Sequence, residues 1–235
     1  MNIFDNKILS QYFLNLNHFE HGLKVKKNSI IVHKYNFGMY SKNYSNEYIY
    51  NTLKYLKYDE DQCSDVINYI NTVKEPYLMF GVENNNVEVY VQTSLNKTLD
   101  PTFKYSHIEE GCSWDLKNNI KFHYTTIPFN SAYSIMEKNI DKELFKRINI
   151  FLKDNNYVLT KHDDNIFNFY IIKKKQYQVS EIKNEIISVL KYINNDIDTI
   201  KNYLNMYLSY NLFWFRISKN ISNDYEITFY FRKSI

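Results

Sequence analysis

The 235-residue chain has only two cysteines, Cys63 and Cys112. Two thiols cannot build a disulfide framework, so a reducing, cytoplasmic setting is expected. Arginine is nearly as scarce: three of the 29 basic residues are Arg, and the formal net charge is +3. That balance leaves no strong footprint of a nucleic-acid-binding protein. No apolar run approaches the roughly 20 residues of a membrane span. The amino terminus also lacks the basic segment and apolar block of a secretory signal. What the chain does have is tyrosine, 23 in all, gathered on segments that read as strands. The length suffices for a substantial core, and a single domain over 1–235 is expected.

The final stretch, Leu212 to Arg232, reads as a β-hairpin turning at Lys219–Asp224. On its second run Ile227, Phe229 and Phe231 share one face, while Thr228, Tyr230 and Arg232 share the other. Such a strand separates a packed layer from something polar. Four earlier stretches repeat the pattern: Phe19–Phe37, Tyr77–Thr93, Ile108–Thr126 and Tyr157–Lys173. Helical spacing predicts helices over 1–17, Ser45–Tyr58, Asp61–Val73, Ser131–Asp154 and Ser180–Leu208, with a loop over 94–106. Hairpins make antiparallel sheet, which disfavours a doubly wound parallel fold. Ten strands in one sheet tend to curl or close. The expected fold class is therefore α+β: a ten-stranded antiparallel barrel of five hairpins, apolar faces toward surrounding helices, polar and aromatic faces inside.

Five hairpins alternating with helices around a polar lumen resemble the ABBA-type aromatic prenyltransferases, and most nearly the cyanobactin-type peptide prenyltransferases. The first hairpin, Phe19-Glu20-His21-Gly22-Leu23-Lys24-Val25 through Ile30-Ile31-Val32-His33-Lys34-Tyr35, resembles the family strand pair with a glutamate near its start and a basic residue fourteen positions later. The end, Trp214 through Tyr230-Phe231-Arg232-Lys233-Ser234, resembles the family's last hairpin. The hairpins between match in order and kind.

This resemblance implies that a prenyl diphosphate ionises to an allylic cation, which an electron-rich acceptor then attacks. Glu20 matches the family's catalytic glutamate and is the candidate base. Lys34, Lys121, His123 and Arg232, each on the polar face of its strand, are candidates for the diphosphate. Lys34 stands where relatives carry a basic residue, whereas Lys121 and His123 stand where acidic and aromatic residues occur. Tyr90, Tyr170 and Tyr230 are candidates to shield the cation. Trp214 aligns with an aromatic that limits prenyl length, which favours dimethylallyl diphosphate. Glu88 departs from the pattern, falling where a cation is expected; a carboxylate beside diphosphate implies a Mg²⁺ ion bound through the diphosphate, or argues against activity. Asp163-Asp164 reads as turn chemistry. The implied partners are a prenyl diphosphate and a peptide or small aromatic acceptor, with no nucleic acid, no membrane and a monomeric state. The alternative reading is a non-catalytic barrel that binds a ligand or single-stranded nucleic acid, whose bases would stack on the tyrosines.

Overall fold

A computed structural model describes residues 18–40, 44–73, 76–83, 86–95, 108–115, 120–152, 155–163, 166–219 and 224–233. The helix expected over 1–17 lies outside them, as does nearly all of the loop expected over 94–106. Five hairpins are present: β1 (His18–Lys26) with β2 (Ser29–Tyr40), β3 (Tyr77–Glu83) with β4 (Asn86–Leu95), β5 (Ile108–Asp115) with β6 (Ile120–Pro128), β7 (Asn155–Asp163) with β8 (Ile166–Gln178), and β9 (Tyr210–Lys219) with β10 (Tyr225–Lys233). Between them run α1 (Asn46–Tyr55), α2 (Glu60–Thr72), α3 (Phe129–Asn139), α4 (Lys142–Leu152), α5 (Val179–Ile193) and α6 (Ile197–Met206). Every ladder whose register is described is antiparallel.

Two stretches expected as single helices are each broken in two. In 131–154 the break falls at Asp141, whose carboxylate accepts from the backbone amides of Glu143 (2.9 Å) and Leu144 (3.2 Å). In 180–208 it falls before Asp196, which caps α6 by accepting from the Thr199 amide at 3.1 Å. A side chain that satisfies the orphan N–H groups of a new first turn makes a fresh start cheaper than a continued helix. The same chemistry opens α2, where Asp59 and Gln62 form a reciprocal capping box.

The chain packs as two compact units, one of Met1–Phe19 and Tyr35–Tyr124, the other of Glu20–Lys34 and Thr125–Ile235. In the first, the strand order is β2-β3-β4-β5-β6, the outer two contributing in part. Its core joins Phe37, Phe80, Val89 and Val91 of the strands to Leu53, Val66 and Ile70 of α1 and α2. In the second, the order is β2-β1-β10-β9-β8-β7-β6. Its core sets Leu23, Phe215, Phe229 and Phe231 against helix residues such as Phe151, Ile186 and Leu204. Phe151 meets Phe215 and Phe229 edge-on, each at 5.6 Å. Because side chains alternate along a strand, burying this apolar set against the helices turns Glu20, Lys24, Trp214, Arg216, Thr228, Tyr230 and Arg232 to the opposite face. No helix among the described residues is long and apolar enough to cross a membrane.

Candidate active site

The polar face of the second unit is ordered in rows across its strands. In the register of β1, β10, β9 and β8, Lys24 pairs with Thr228, Thr228 with Arg216, and Arg216 with Tyr170. The next row toward the β9–β10 turn pairs Lys26 with Glu226 and Glu226 with Ser218. In the other direction, Gly22 pairs with Tyr230, and Tyr230 with Trp214. One row further lie Glu20 and Arg232, joined by an ion pair. Rows are two residues apart, about 6.6 Å along a strand. The face thus passes from a cationic row, through an aromatic row, to a carboxylate.

At the carboxylate end, Glu20 is only 1% exposed. Arg232 Nη2 donates to its Oε1 at 2.6 Å, and Trp214 Nε1 donates to its Oε2 at 2.8 Å. A buried carboxylate requires such compensation. Arg232 also lies over the Phe213 ring, 3.6 Å from its centroid.

In the aromatic row, Trp214 and Tyr230 stack face to face, with centroids 3.6 Å apart and planes at 10°. Tyr170 approaches Trp214 at 5.5 Å. Gly22 gives this row its space. A β-carbon there would stand 3.1 Å from Cβ and Cγ of Lys34, whose buried stem crosses the glycine.

At the cationic end, Arg216 and Lys24 are 9% and 7% exposed. Both pair with Glu226: Lys24 Nζ lies 3.2 Å from Oε1, Arg216 Nη2 contacts the same oxygen, and Lys26 Nζ lies 3.3 Å from Oε2. Arg216 also sits 5.9 Å from the Tyr170 ring centroid. Thr228 Oγ1 and Ser218 Oγ are buried with no hydrogen-bond partner among the described residues. A buried hydroxyl without a protein partner is costly, and these two, in adjacent rows beside buried cations, are placed where they could donate to an oxyanion.

On the helix side of β1, His21 Nδ1 lies 3.2 Å from the Tyr207 hydroxyl, within an aromatic group that includes Tyr210. Burial pushes its imidazole below the ordinary value of 6.5. The Tyr203 hydroxyl donates to the Gly22 carbonyl at 3.1 Å, tying α6 to the strand that carries Glu20.

The candidates named from sequence therefore fall as follows. Glu20, Lys34, Tyr170, Trp214, Tyr230 and Arg232 all lie in this unit. Arg232 engages Glu20 rather than standing among the cations at the other end. Tyr90 belongs to the first unit, where its hydroxyl donates to Glu88 at 2.5 Å and its ring lies across Gly81. Glu88 there faces Asp115 across the β4–β5 ladder. The side chains of Lys121 and His123 lie outside what the structure describes. Sequence reasoning missed Lys24, Arg216, Ser218, Glu226 and Thr228 as a group. A usable signal existed: Arg216 lies two residues beyond Trp214, and Thr228 two before Tyr230, on the same faces.

No family model matches the chain, and no curated protein matches it by sequence. Its fold is that of the ABBA-type aromatic prenyltransferases, the class expected from the hairpin pattern. One solved structure that shows this is 5-dimethylallyltryptophan synthase from Streptomyces coelicolor, with TM-score 0.58 and 9% identity over 92% of this chain and 81% of that one. Another is PriB in binary complex with product diphosphate, with TM-score 0.57 and 9% identity over 91% and 79%.

Proposed function

We propose that the protein transfers a short isoprenoid, dimethylallyl, from its diphosphate to an electron-rich side chain of a peptide or a small aromatic acceptor. The observation that carries this is the order of the rows: cations and unbonded hydroxyls, then stacked aromatics, then a buried carboxylate. A prenyl diphosphate has the matching polarity, an anionic head on a short apolar chain. The similar structures support the reading, since one synthesises dimethylallyltryptophan and another holds product diphosphate.

In this account Lys24 and Arg216, with the Thr228 hydroxyl between them and Lys34 nearby, hold the diphosphate. As the allylic C–O bond breaks, the leaving group gains charge, which the fixed cations stabilise. The allylic carbon becomes cationic beside Tyr170, Trp214 and Tyr230. Each ring face contributes about 0.5–2 kcal/mol of cation–π attraction and excludes water. The acceptor ring supplies the electron pair of the new bond, and its displaced proton passes to Glu20. Arg232 compensates the Glu20 charge and, with the Trp214 N–H, fixes its orientation. The Trp214–Tyr230 stack begins one row from the cations, which leaves room for one isoprene unit rather than two or three.

Among the described residues no group of three or more His, Cys, Asp or Glu side chains could cage a metal. The carboxylate nearest the cations, Glu226, is already held by three of them. A Mg²⁺ ion bound through the diphosphate would offset the donor's charge. The test is to incubate the protein with prenyl diphosphates and peptides containing Tyr, Trp or His, and to look for a mass gain of one isoprene unit. Loss of transfer in a folded Arg216→Ala variant is expected; no transfer by the wild type across donors and acceptors favours a binding protein instead.

A further inference from the structure

Glu226 has no part in the chemistry just described, yet it sits where the donor's head must go. Its Oε1 is shared by Lys24 and Arg216, two buried cations of the site, while its Oε2 is held by Lys26, which is far more exposed. It therefore occupies the cationic row with a carboxylate oxygen and is anchored from outside by a separate cation. The neighbouring Thr228 and Ser218 hydroxyls gain nothing from it, since both stay unbonded. The carboxylate bonds neither hydroxyl, whereas the several oxygens of a diphosphate can meet both of them as well as the cations.

We propose that Glu226 is a resident anion that sets the charge a ligand needs in order to enter. Resting on the prenyl-transfer reading, it makes the site selective for diphosphate over monophosphate. A ligand must displace Oε1 from Lys24 and Arg216, and Glu226 then stays paired to Lys26 through Oε2. A monophosphate offers little more than the carboxylate it replaces. A diphosphate brings roughly one more charge and more acceptor oxygens, enough to bridge Lys24, Thr228 and Arg216, whose neighbouring strands lie about 5 Å apart. The chain thus keeps its buried cations compensated when empty and still rejects ligands of lower charge. Prenyl monophosphates and carboxylates are the compounds so excluded.

The experiment measures calorimetric binding of inorganic diphosphate and of inorganic phosphate to the intact protein and to Glu226→Gln. The amide keeps the size and one acceptor but gives up the competing charge. Diphosphate should bind about tenfold tighter to the variant. Phosphate should gain by a larger factor than diphosphate, so that selectivity between the two falls. A second variant, Thr228→Val, removes a hydroxyl that is unbonded without ligand. It should weaken diphosphate binding while leaving the thermal midpoint of the free protein unchanged or higher. Weaker or unchanged diphosphate binding in Glu226→Gln overturns the proposal, because Glu226 would then organise the cations or hold a metal. Binding of diphosphate by neither protein overturns it as well. Peptide prenylation is scored separately on both: a wild type that prenylates with unaltered selectivity in the variant removes only this inference. Tighter binding without any prenylation removes the transfer reading and leaves a gated diphosphate-binding protein.

Discussion

At the scale of the residue, Gly22 shows how one absent side chain shapes the site. It has no unusual backbone angle; what it supplies is space, because Lys34 crosses it at the distances given above. The atoms that would meet a new β-carbon lie near the backbone of a buried lysine and have little room to yield. Gly22→Ala should therefore destabilise the protein by about 1–3 kcal/mol in urea unfolding, and should displace the Lys34 stem enough to weaken binding of a non-hydrolysable dimethylallyl diphosphate analogue. An Ala variant of wild-type stability would show that Lys34 moves freely. Residue identity was also where sequence was most informative. Glu20 and Trp214 could be singled out through the family resemblance of the first and last hairpins, and Tyr230 as a large aromatic on a polar strand face. Lys24 and Glu226 could not, since each alone is an ordinary strand residue. They acquire meaning only when register sets β1 beside β10, some 200 positions later in the chain.

At the scale of the element, the helix breaks show why period alone misleads. Apolar spacing runs unbroken through Asp141 and Asn194–Asp196, because the helices on either side bury their residues in the same core. The signal for the break was the aspartate, a cap residue lying within an apolar rhythm. Asp196→Ala should cost about 1 kcal/mol, within a range of about 0.5–2, read as a lower urea midpoint with an unchanged slope; a changed slope would point to altered compactness instead. The aromatic group around His21 makes a second prediction for the docking of α6 and the start of β9. Burial holds the folded imidazole below its unfolded value of 6.5. Between the two values the unfolded chain binds more protons, so the stability due to neutral His21 is complete above about pH 6.5 and declines as pH falls below it. The thermal midpoint of the wild type should drop more steeply on acidification through that window than that of His21→Gln. Parallel pH profiles would remove His21 as the cause.

At the scale of the whole molecule, the order of hairpins and helices was legible because each strand carries its own two-residue alternation and each turn its own polar residues. The organisation into two units with separate cores was not. The sequence pattern marks which residues are buried, but not which of them share a core. What unites the account is the sequence of environments along one polar face, from Lys24 and Arg216 to Glu20. The central claim is that this face transfers a prenyl group and that Glu20 takes the proton. The most direct measurement is peptide prenylation by wild type and Glu20→Gln, with analogue affinity and thermal midpoint read on the same preparations. An amide can still accept from Trp214 or Arg232, yet it cannot take a proton at neutral pH. The account predicts that the wild type adds one isoprene unit, and that the variant binds the analogue as well as the wild type but loses at least about 100-fold in turnover. Near-normal prenylation by folded Glu20→Gln would contradict the role given to Glu20, and a wild type that binds the donor but never transfers it would contradict the account as a whole.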